Sequence, residues 1–348
     1  MTCTSSTAAP KLRRGIFIFT SSRQHIMNDL DARRGPDTAL HGLNYLVGMD
    51  DVVIPSKSLV GLLRIPMLLR YRVIIAQDNF LLGYVVSLCA RLFQLPTRWV
   101  YLAIHSSTLI QKHADHPIQR FILKTWWGSY SRIICISSEQ RVDLINLGIP
   151  EARLVYIPFG IDADFFRPTR AHEEDFILSV GRDAGRDYET LIKAASRLPY
   201  RFVIVASPRN ISEEWDIPAN VTILYDQDSM TIRDLYQRAR LVVVTSKTVA
   251  VPQGSDCSGQ TVILDALASQ KAVVTTHRSW VSDYFIPGED LSVVPVGDID
   301  GLVRELEALF SDSARRQRLA DSGHQKVSRL YTSQVFAQAI DRLIQTLL

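Results

Sequence analysis

The stretch SDCSGQTVILDALASQKAVVTT, residues 255–276, contains a loop, a helix and a strand in that order. Small and polar residues open it, and Ser258 is a candidate N-cap because its hydroxyl can accept a hydrogen bond from a helix N–H group. The apolar residues that follow fit helical spacing, and residues 272–276 are rich in β-formers. This order predicts a helix packed on a parallel sheet.

Similar strand-like runs recur along the chain, separated by longer segments with helical spacing. They fall into two series: residues 15–19, 72–76, 98–104 and 132–136, and then residues 154–157, 176–180, 201–206, 221–224, 241–245, 272–276 and 291–294. Strands that alternate with helices predict an α/β protein with parallel sheets. Two series in 348 residues predict two domains, each large enough for its own core.

Between the two series lies IPFGIDADFFRPTRAHEED, residues 157–175, where Pro, Gly and charged residues are typical of a connection. We therefore predict a first domain at residues 15–166 and a second domain at residues 176–328. Residues 329–348 are predicted to form a terminal helix, and its apolar positions must be buried against another element.

The composition argues against several classes of protein. A net charge of +3 is too small for the concentrated basic surface that binds a phosphate backbone, so nucleic acid is not an expected partner. No apolar stretch reaches the roughly 20 residues that span a bilayer, and we expect no signal peptide. The cysteines lack metal-ligand spacing and are expected to be reduced thiols in the cytoplasm: Cys3, Cys89, Cys135 and Cys257.

The loop that opens residues 255–276 has the features of an anion site. Gly259 lets a ligand approach the backbone, and N–H groups at a helix start attract phosphate. Thr261 adds a hydroxyl, and Asp265 lies one turn later on the same face, roughly 5 to 6 Å away. A carboxylate there can accept hydrogen bonds from two ribose hydroxyls. The alternative is an ordinary capped helix with a solvated Asp265.

A second segment, FILSVGRDAGRDYETLIKAASRL at residues 176–198, combines a buried strand, a turn at Gly181 and an amphipathic helix. Arg182 and Arg186 follow the strand at its carboxyl end. Ligands of open α/β sheets bind at that edge, and guanidinium forks suit diphosphate oxygens. The alternative is a pair of surface arginines in ion pairs with the adjacent aspartates.

Taken in order, IPFGIDADFFRP, SVGRDAGRD, DLYQRARLVVVTS and SGQTVILDALASQKAVV resemble the carboxyl-terminal donor domain of the retaining GT-B glycosyltransferases of family four. The resemblance covers residues 132–296. It implies the GT-B fold, in which two Rossmann-like domains with parallel sheets face each other and a carboxyl-terminal helix returns to the first domain.

The resemblance also implies a reaction and a set of site residues. A sugar would pass, with retention, from a nucleotide-diphosphate donor such as a UDP- or GDP-sugar to a hydroxyl acceptor of glycan, glycolipid or natural-product type, without a cofactor or a metal. His105, at the end of a strand, matches a family His that faces the transferred sugar. We predict as catalytic His105, Arg182 and Arg186, and as donor-binding Gly181, Ser258, Gly259, Gln260, Thr261 and Asp265.

The acidic motif departs from the family pattern. Asp265 is a shortened Glu, and the earlier Glu of the family's pair falls at or beside Cys257, where Asp256 is a candidate substitute. Two alternatives therefore stay open: a nucleotide-sugar epimerase of the same fold, and a non-catalytic sugar-nucleotide binding protein. An NAD oxidoreductase is disfavoured because no G-x-G-x-x-G follows the first strand.

Two segments are candidates for peripheral contact with the cytoplasmic face of a membrane. Residues 62–72 interleave apolar and basic side chains, as amphipathic membrane-surface segments do. Residues 121–127 include the adjacent Trp126 and Trp127. Packing of residues 62–72 into the core is the simpler interpretation.

Overall fold

The computed structural model describes residues 15–19, 24–54, 59–77, 80–169, 171–248 and 254–348. Cys3 lies outside these residues.

The first domain is built on a six-stranded sheet in which all pairs are parallel, with the order β2-β1-β3-β4-β5-β6. The strands are β1 Gly15–Phe19, β2 Met49–Val53, β3 Val73–Ala76, β4 Arg98–Leu102, β5 Arg132–Cys135 and β6 Leu154–Tyr156. The helices are α1 Gln24–Asp31, α2 Ile65–Leu68, α3 Phe80–Leu92, α4 Ser106–Lys112, α5 Pro117–Trp127 and α6 Ser138–Leu147, with 3₁₀ turns at Asp37–Leu40, Leu43–Tyr45, Leu59–Arg64 and Glu151–Arg153.

The second domain repeats this plan with the order β12-β11-β10-β7-β8-β9, again parallel throughout. Its strands are β7 Phe176–Gly181, β8 Arg201–Ala206, β9 Val221–Tyr225, β10 Leu241–Val244, β11 Val273–Thr276 and β12 Ser292–Val294. The helices that follow are α7 Tyr188–Ala195, α8 Ser229–Arg238, α9 Gln260–Ala268, α10 Val281–Tyr284, α11 Ile299–Ser311, α12 Ser313–Leu330 and α13 Ser333–Leu347, with a 3₁₀ turn at Pro208–Asn210.

The central strands are buried along their whole length, as the four residues each of β3, β10 and β11 illustrate. Helices cover both faces of a parallel sheet, so its inner strands are near-continuous apolar runs. This is why the apolar runs located most of the strands correctly. The predicted α/β class is confirmed.

One prediction about the strands is wrong, and one strand is missing from the predicted series. Residues 154–157 were grouped with the second series, but β6 pairs with β5 and forms an edge of the first sheet, where Ile133 lies opposite Leu154. The other edge strand, β2, was not predicted. It carries Asp50 and Asp51, whose charges are tolerated because an edge strand is only partly covered.

The terminal helix α13 returns to the first domain. Backbone bonds join Thr332 and its neighbours to Ile161, and the rings of Phe159 and Phe336 are 5.1 Å apart between centroids. The apolar stripe of α13 is therefore buried across the connection between the domains. The predicted boundaries at 166 and 328 stay predictions, and residue 328 lies within α12.

The two candidate membrane segments are only partly packed into the first domain. Leu68 and Trp127 are fully buried, and Trp126 packs against the same core. Leu63 and Phe121 are exposed. Among the described residues, no helix combines the length and the apolar character that crossing a bilayer requires. Peripheral membrane contact and a cytoplasmic location stay predictions.

Candidate active site

A cavity of about 220 Å³ lies in the cleft where the carboxyl end of β7 faces the start of α9. The first domain closes it with three apolar residues, Ile104, Ile136 and Phe159. Six predicted site residues line it: Gly181, Arg182, Arg186, Gly259, Gln260 and Thr261. Two segments that are about 80 residues apart in sequence are thus brought together, because β7 and β10 are neighbours in the sheet.

Arg186 is the central feature of the cavity. Its side chain is only 2% exposed, and its guanidinium lies 5.6 Å from the centre of the Tyr188 ring. Nη2 donates to Ser179 Oγ at 3.2 Å, whereas Nε and Nη1 are buried and have no hydrogen-bond partner among the described residues. A buried cation with unpaired donors is costly unless an anion binds it.

Two glycines make room for this guanidinium. A Cβ atom added to Gly181 would lie 3.0 Å from Arg186 Nε, and one added to Gly259 would lie 2.9 Å from Arg186 Nη1. Gly259 also has a φ of +86°, a left-handed conformation that favours glycine. Any larger residue at either position would displace the cation.

Arg182 is placed differently. It is about half-exposed at the rim of the cavity, donates to the Gln227 carbonyl at 2.8 Å and lies 3.5 Å from Asp226. The suggested ion pairs of the two arginines with their adjacent aspartates do not form. Asp183 instead accepts hydrogen bonds from the Gly185 and Ser255 N–H groups, and Asp187 caps α7.

The start of α9 supplies backbone donors, but Ser258 is not its N-cap, so that prediction is wrong. Gly259 is the N-cap residue and leaves Ser258 one position too early to reach the first turn. The N–H groups of Ser258 and Gln260 bond within the turn, while those of Thr261 and Val262 make no hydrogen bond among the described residues. The helix therefore presents two open donors at its positive end.

Asp265 lies one turn further along α9 and is partly buried, with Oδ1 unpaired. Burial, with the negative charge of Asp162 as a second cause, raises the pKa of Asp265 well above its usual range. Burial also raises the pKa of Asp162. Ionisation of Asp265 is therefore costly while Asp162 carries its negative charge.

Cys257, at or beside the position that the resemblance gives to the family's first Glu, lines the cavity and is buried. Burial, reinforced by the charge of Asp256, raises the pKa of its thiol well above the usual value. A neutral thiol cannot supply the charge of a carboxylate at this point.

Asp256 does not replace that carboxylate, because it points into the first domain. Its oxygens accept from the N–H groups of Ser107 and Thr108 at 2.9 and 2.8 Å, from Ser106 Oγ at 3.2 Å and from Gln140 Nε2 at 2.7 Å. An aspartate of one domain therefore caps helix α4 of the other. The expectation that Asp256 substitutes for the missing Glu is wrong.

His105 lies at the carboxyl end of β4, across the cleft from the second domain. It is exposed, and its Nδ1 is 3.4 Å from the Gly254 carbonyl oxygen. The imidazole thus lies beside the loop that leads into α9. Its predicted contact with a transferred sugar stays a prediction.

Several site residues were not identified from the sequence. Ser179 and Tyr188 hold the Arg186 guanidinium, and the only signal was a polar residue inside the apolar run of β7. Arg278 donates to the carbonyl oxygens of Lys247 and Asp256, which fixes both ends of the loop before α9. Among the described residues, no group of three or more His, Cys, Asp or Glu side chains could hold a metal ion.

The second half of the chain resembles a known family of proteins in sequence. Residues 160–326 match the sequence model of the family described as glycosyl transferases group 1. The lipopolysaccharide core biosynthesis glycosyltransferase LpsE of Rhizobium meliloti (strain 1021) is 24% identical over 176 residues, which are 48% of this chain and 49% of that protein. The match therefore spans about half the length of this curated relative.

Solved structures extend the likeness to the whole fold. Alr3699/HepE of Anabaena, in complex with UDP and glucose, has a TM-score of 0.72 at 15% identity and covers 96% of this chain and 100% of its own. Sucrose-phosphate synthase of Thermosynechococcus elongatus has a TM-score of 0.69 at 18% identity, with 95% of this chain and 98% of its own covered. The GT-B fold and the resemblance to the group 1 glycosyltransferases are confirmed.

We expect Asp256→Ala to weaken the contact between the domains, because α4 loses its cap and several charge-assisted hydrogen bonds are broken. The free energy of unfolding should fall by about 2 to 4 kcal/mol. Asp228→Ala is a matched control, since Asp228 caps α8 within one domain, and should cost about 1 kcal/mol. Thermal unfolding and small-angle scattering measure both variants. Equal losses, without expansion of Asp256→Ala, would contradict the interdomain role.

We expect Asp265→Asn to raise the melting temperature at neutral pH. Because the pKa of Asp265 is raised in the folded state, the unfolded chain ionises first, and stability falls as the pH rises through that window. The gain from Asp265→Asn should therefore shrink as the pH approaches about 4, near the carboxyl's ordinary pKa. Thermal unfolding across this pH range checks it, with exposed Asp115→Asn as the control. A gain independent of pH would argue against the buried-charge explanation.

Proposed function

We propose that the protein is a retaining glycosyltransferase that transfers a sugar from a UDP- or GDP-sugar to a hydroxyl acceptor of glycan, glycolipid or natural-product type. The observation that carries this proposal is the buried Arg186 guanidinium, whose Nε and Nη1 are unpaired beside the open N–H groups of Thr261 and Val262. A diphosphate supplies both the charge and the acceptor oxygens that this arrangement lacks.

In this proposal the donor lies against the second domain, residues 176–328. Its diphosphate is held between Arg186 and the start of α9, where Gly181, Ser258, Gly259 and Gln260 shape the backbone. The ribose hydroxyls bind Asp265 and separate it from Asp162. The structure of the relative HepE in complex with UDP and glucose supports a nucleotide-sugar as the ligand.

The acceptor binds the first domain, residues 15–166, on the side of the cleft where His105 lies. As the bond to the donor sugar breaks, negative charge accumulates on the leaving diphosphate. Arg186 faces that charge directly, and Arg182 reaches it by leaving its surface contacts with Asp226 and Gln227. Preorganised cations stabilise charge that develops in the transition state.

Retention of configuration, as the resemblance implies, needs no protein nucleophile. The acceptor hydroxyl attacks the face from which the diphosphate departs, and a diphosphate oxygen takes its proton. The one carboxylate among the residues that line the cavity, Asp183, accepts hydrogen bonds from the Gly185 and Ser255 N–H groups. Residues 329–348 complete the proposed unit by joining the second domain to the first.

One observation favours a second candidate, a sugar-nucleotide binding protein without turnover. The neutral thiol of Cys257 replaces a carboxylate that would contact the sugar, and Asp256 is committed to the domain contact. The two candidates differ in one measurable outcome. A transferase releases nucleoside diphosphate when an acceptor is present, whereas a binding protein retains intact donor.

We expect Arg186→Ala to lower kcat on the order of a hundredfold to a thousandfold, and by a larger factor than it raises the donor KM, because the interaction strengthens as charge develops. Arg186→Lys should recover part of the activity. Arg197→Ala is a control, since Arg197 forms a surface ion pair with Asp300. Steady-state rates of nucleoside diphosphate release, with folding verified by circular dichroism, measure these effects. A wild-type kcat in Arg186→Ala would refute the diphosphate role.

We also expect EDTA to leave the rate of sugar transfer unchanged, because the arginines neutralise the charge that a divalent metal neutralises in other transferases. The measurement is the same release assay before and after dialysis against the chelator. Activity that is lost on dialysis and restored by Mn²⁺ would contradict a metal-independent reaction.

A further inference from the structure

We propose that a pocket at the edge of the first sheet opposite the candidate active site binds a phosphate-bearing ligand. The pocket is a cavity of about 630 Å³ formed by the end of α3, the turn between α5 and β5, and the end of α13. We call it the arginine pocket, because its walls contain Arg91, Arg98, Arg132 and Arg153.

The arginine pocket is separate from the cleft. Arg98 and Arg132 are the first residues of β4 and β5, whereas His105 follows the carboxyl end of β4. The four residue steps from Arg98 to Leu102 span roughly 13 Å at about 3.3 Å per step. The two sites therefore lie at opposite edges of the same sheet.

Within the part of the chain that the structure describes, the hydrogen bonds of the four guanidinium groups go to carbonyl oxygens and not to carboxylates. Arg91 donates to the carbonyl oxygens of Gly128 and Ser129 at 3.3 and 3.4 Å, Arg153 donates to that of Gly128, and Arg132 donates to that of Ser131 at 2.8 Å. Among the described residues, none of the four forms an ion pair. What distinguishes these four arginines is that they share the wall of one cavity.

The charges also affect one another. Burial, followed by the positive charges of Arg91 and Arg132, lowers the pKa of Arg153. Arg132 and Arg153 are half-buried, whereas Arg91 is exposed. Like charges that lie close together repel each other, and a bound anion reduces that repulsion.

Two buried donors in the wall provide a second, independent sign of a ligand. Trp99 is 2% exposed and Ser87 is 8% exposed, yet Trp99 Nε1 and Ser87 Oγ have no hydrogen-bond partner among the described residues. Both residues line the arginine pocket. Buried polar groups are normally satisfied, so an acceptor within reach of these two donors would be favourable.

A phosphate group fits this set of donors. Its oxygens accept from several guanidinium forks at once and from neutral N–H and O–H groups. It could come from a soluble phosphate ester or from a lipid headgroup. The second source is worth testing because Leu92 and Phe93, each 69% exposed, follow Arg91 directly at the end of α3.

The test uses the full chain and a double variant, Arg98→Gln with Arg132→Gln. Its control is Arg304→Gln with Arg329→Gln, which removes the same charge from exposed positions on α11 and α12. Binding of glycerol 3-phosphate is measured by calorimetry. Binding to phosphatidylglycerol vesicles is compared with binding to phosphatidylcholine vesicles by sedimentation.

We expect the arginine-pocket variant to bind glycerol 3-phosphate, phosphatidylglycerol vesicles or both at least tenfold more weakly than the unchanged protein does. The control variant should stay within about twofold of the unchanged protein in both measurements. Weaker binding of glycerol 3-phosphate in calorimetry identifies a soluble phosphate ester as a ligand. Weaker binding to phosphatidylglycerol vesicles in sedimentation identifies a lipid phosphate as a ligand. Equal binding by the two variants, or no binding in either arm, would overturn the proposal. The melting-temperature shift caused by UDP, measured on both variants, tests the donor site separately.

Discussion

The carboxylate of Asp256, held at the amino end of α4, is the contact on which the candidate active site depends. It fixes the second domain against the first through two backbone N–H groups and two side chains, and the N–H group of Asp256 also donates to the Ile104 carbonyl. Asp283 makes a similar contact at the start of α6, where it accepts from Ser138. Two carboxylates thus meet the positive ends of two helices across the cleft. Without these contacts the cavity loses its first-domain wall.

The cleft between the docked domains contains groups that destabilise the folded protein when no ligand is bound. Arg186 is a buried cation with two unpaired donors, and Asp265 is a carboxyl group whose pKa is raised by burial and by Asp162. Burying either group would cost less free energy if a side chain of opposite charge lay beside it. A diphosphate and a ribose relieve both, since one brings negative charge and the other brings hydroxyl donors. Local costs of this kind are concentrated at functional sites, because the rest of the fold stabilises them.

The sequence predicted the fold better than it predicted the roles of side chains. Buried parallel strands such as β10 are continuous apolar runs, so their positions can be read directly from the local sequence. The sequence could not distinguish Arg182 from Arg186, because burial of Arg186 depends on Gly181 and Gly259 meeting in space. The role of Asp256 was equally inaccessible, since its hydrogen-bond partners on α4 lie about 150 residues earlier in the chain. Which side chains are buried and which hydrogen-bond partners they find depend on the tertiary fold. The pattern of apolar residues that predicts helices and strands depends only on the local sequence.

Helix α13 connects the two edges of the first sheet that carry charge-binding features. It begins beside Thr332, which pairs with Ile161 in the connection between the domains, and its last residues, Thr346 and Leu347, form part of the arginine pocket. At 1.5 Å per residue its 15 residues span roughly 22 Å. A phosphate bound in the arginine pocket would contact the end of the helix whose start holds the domains together.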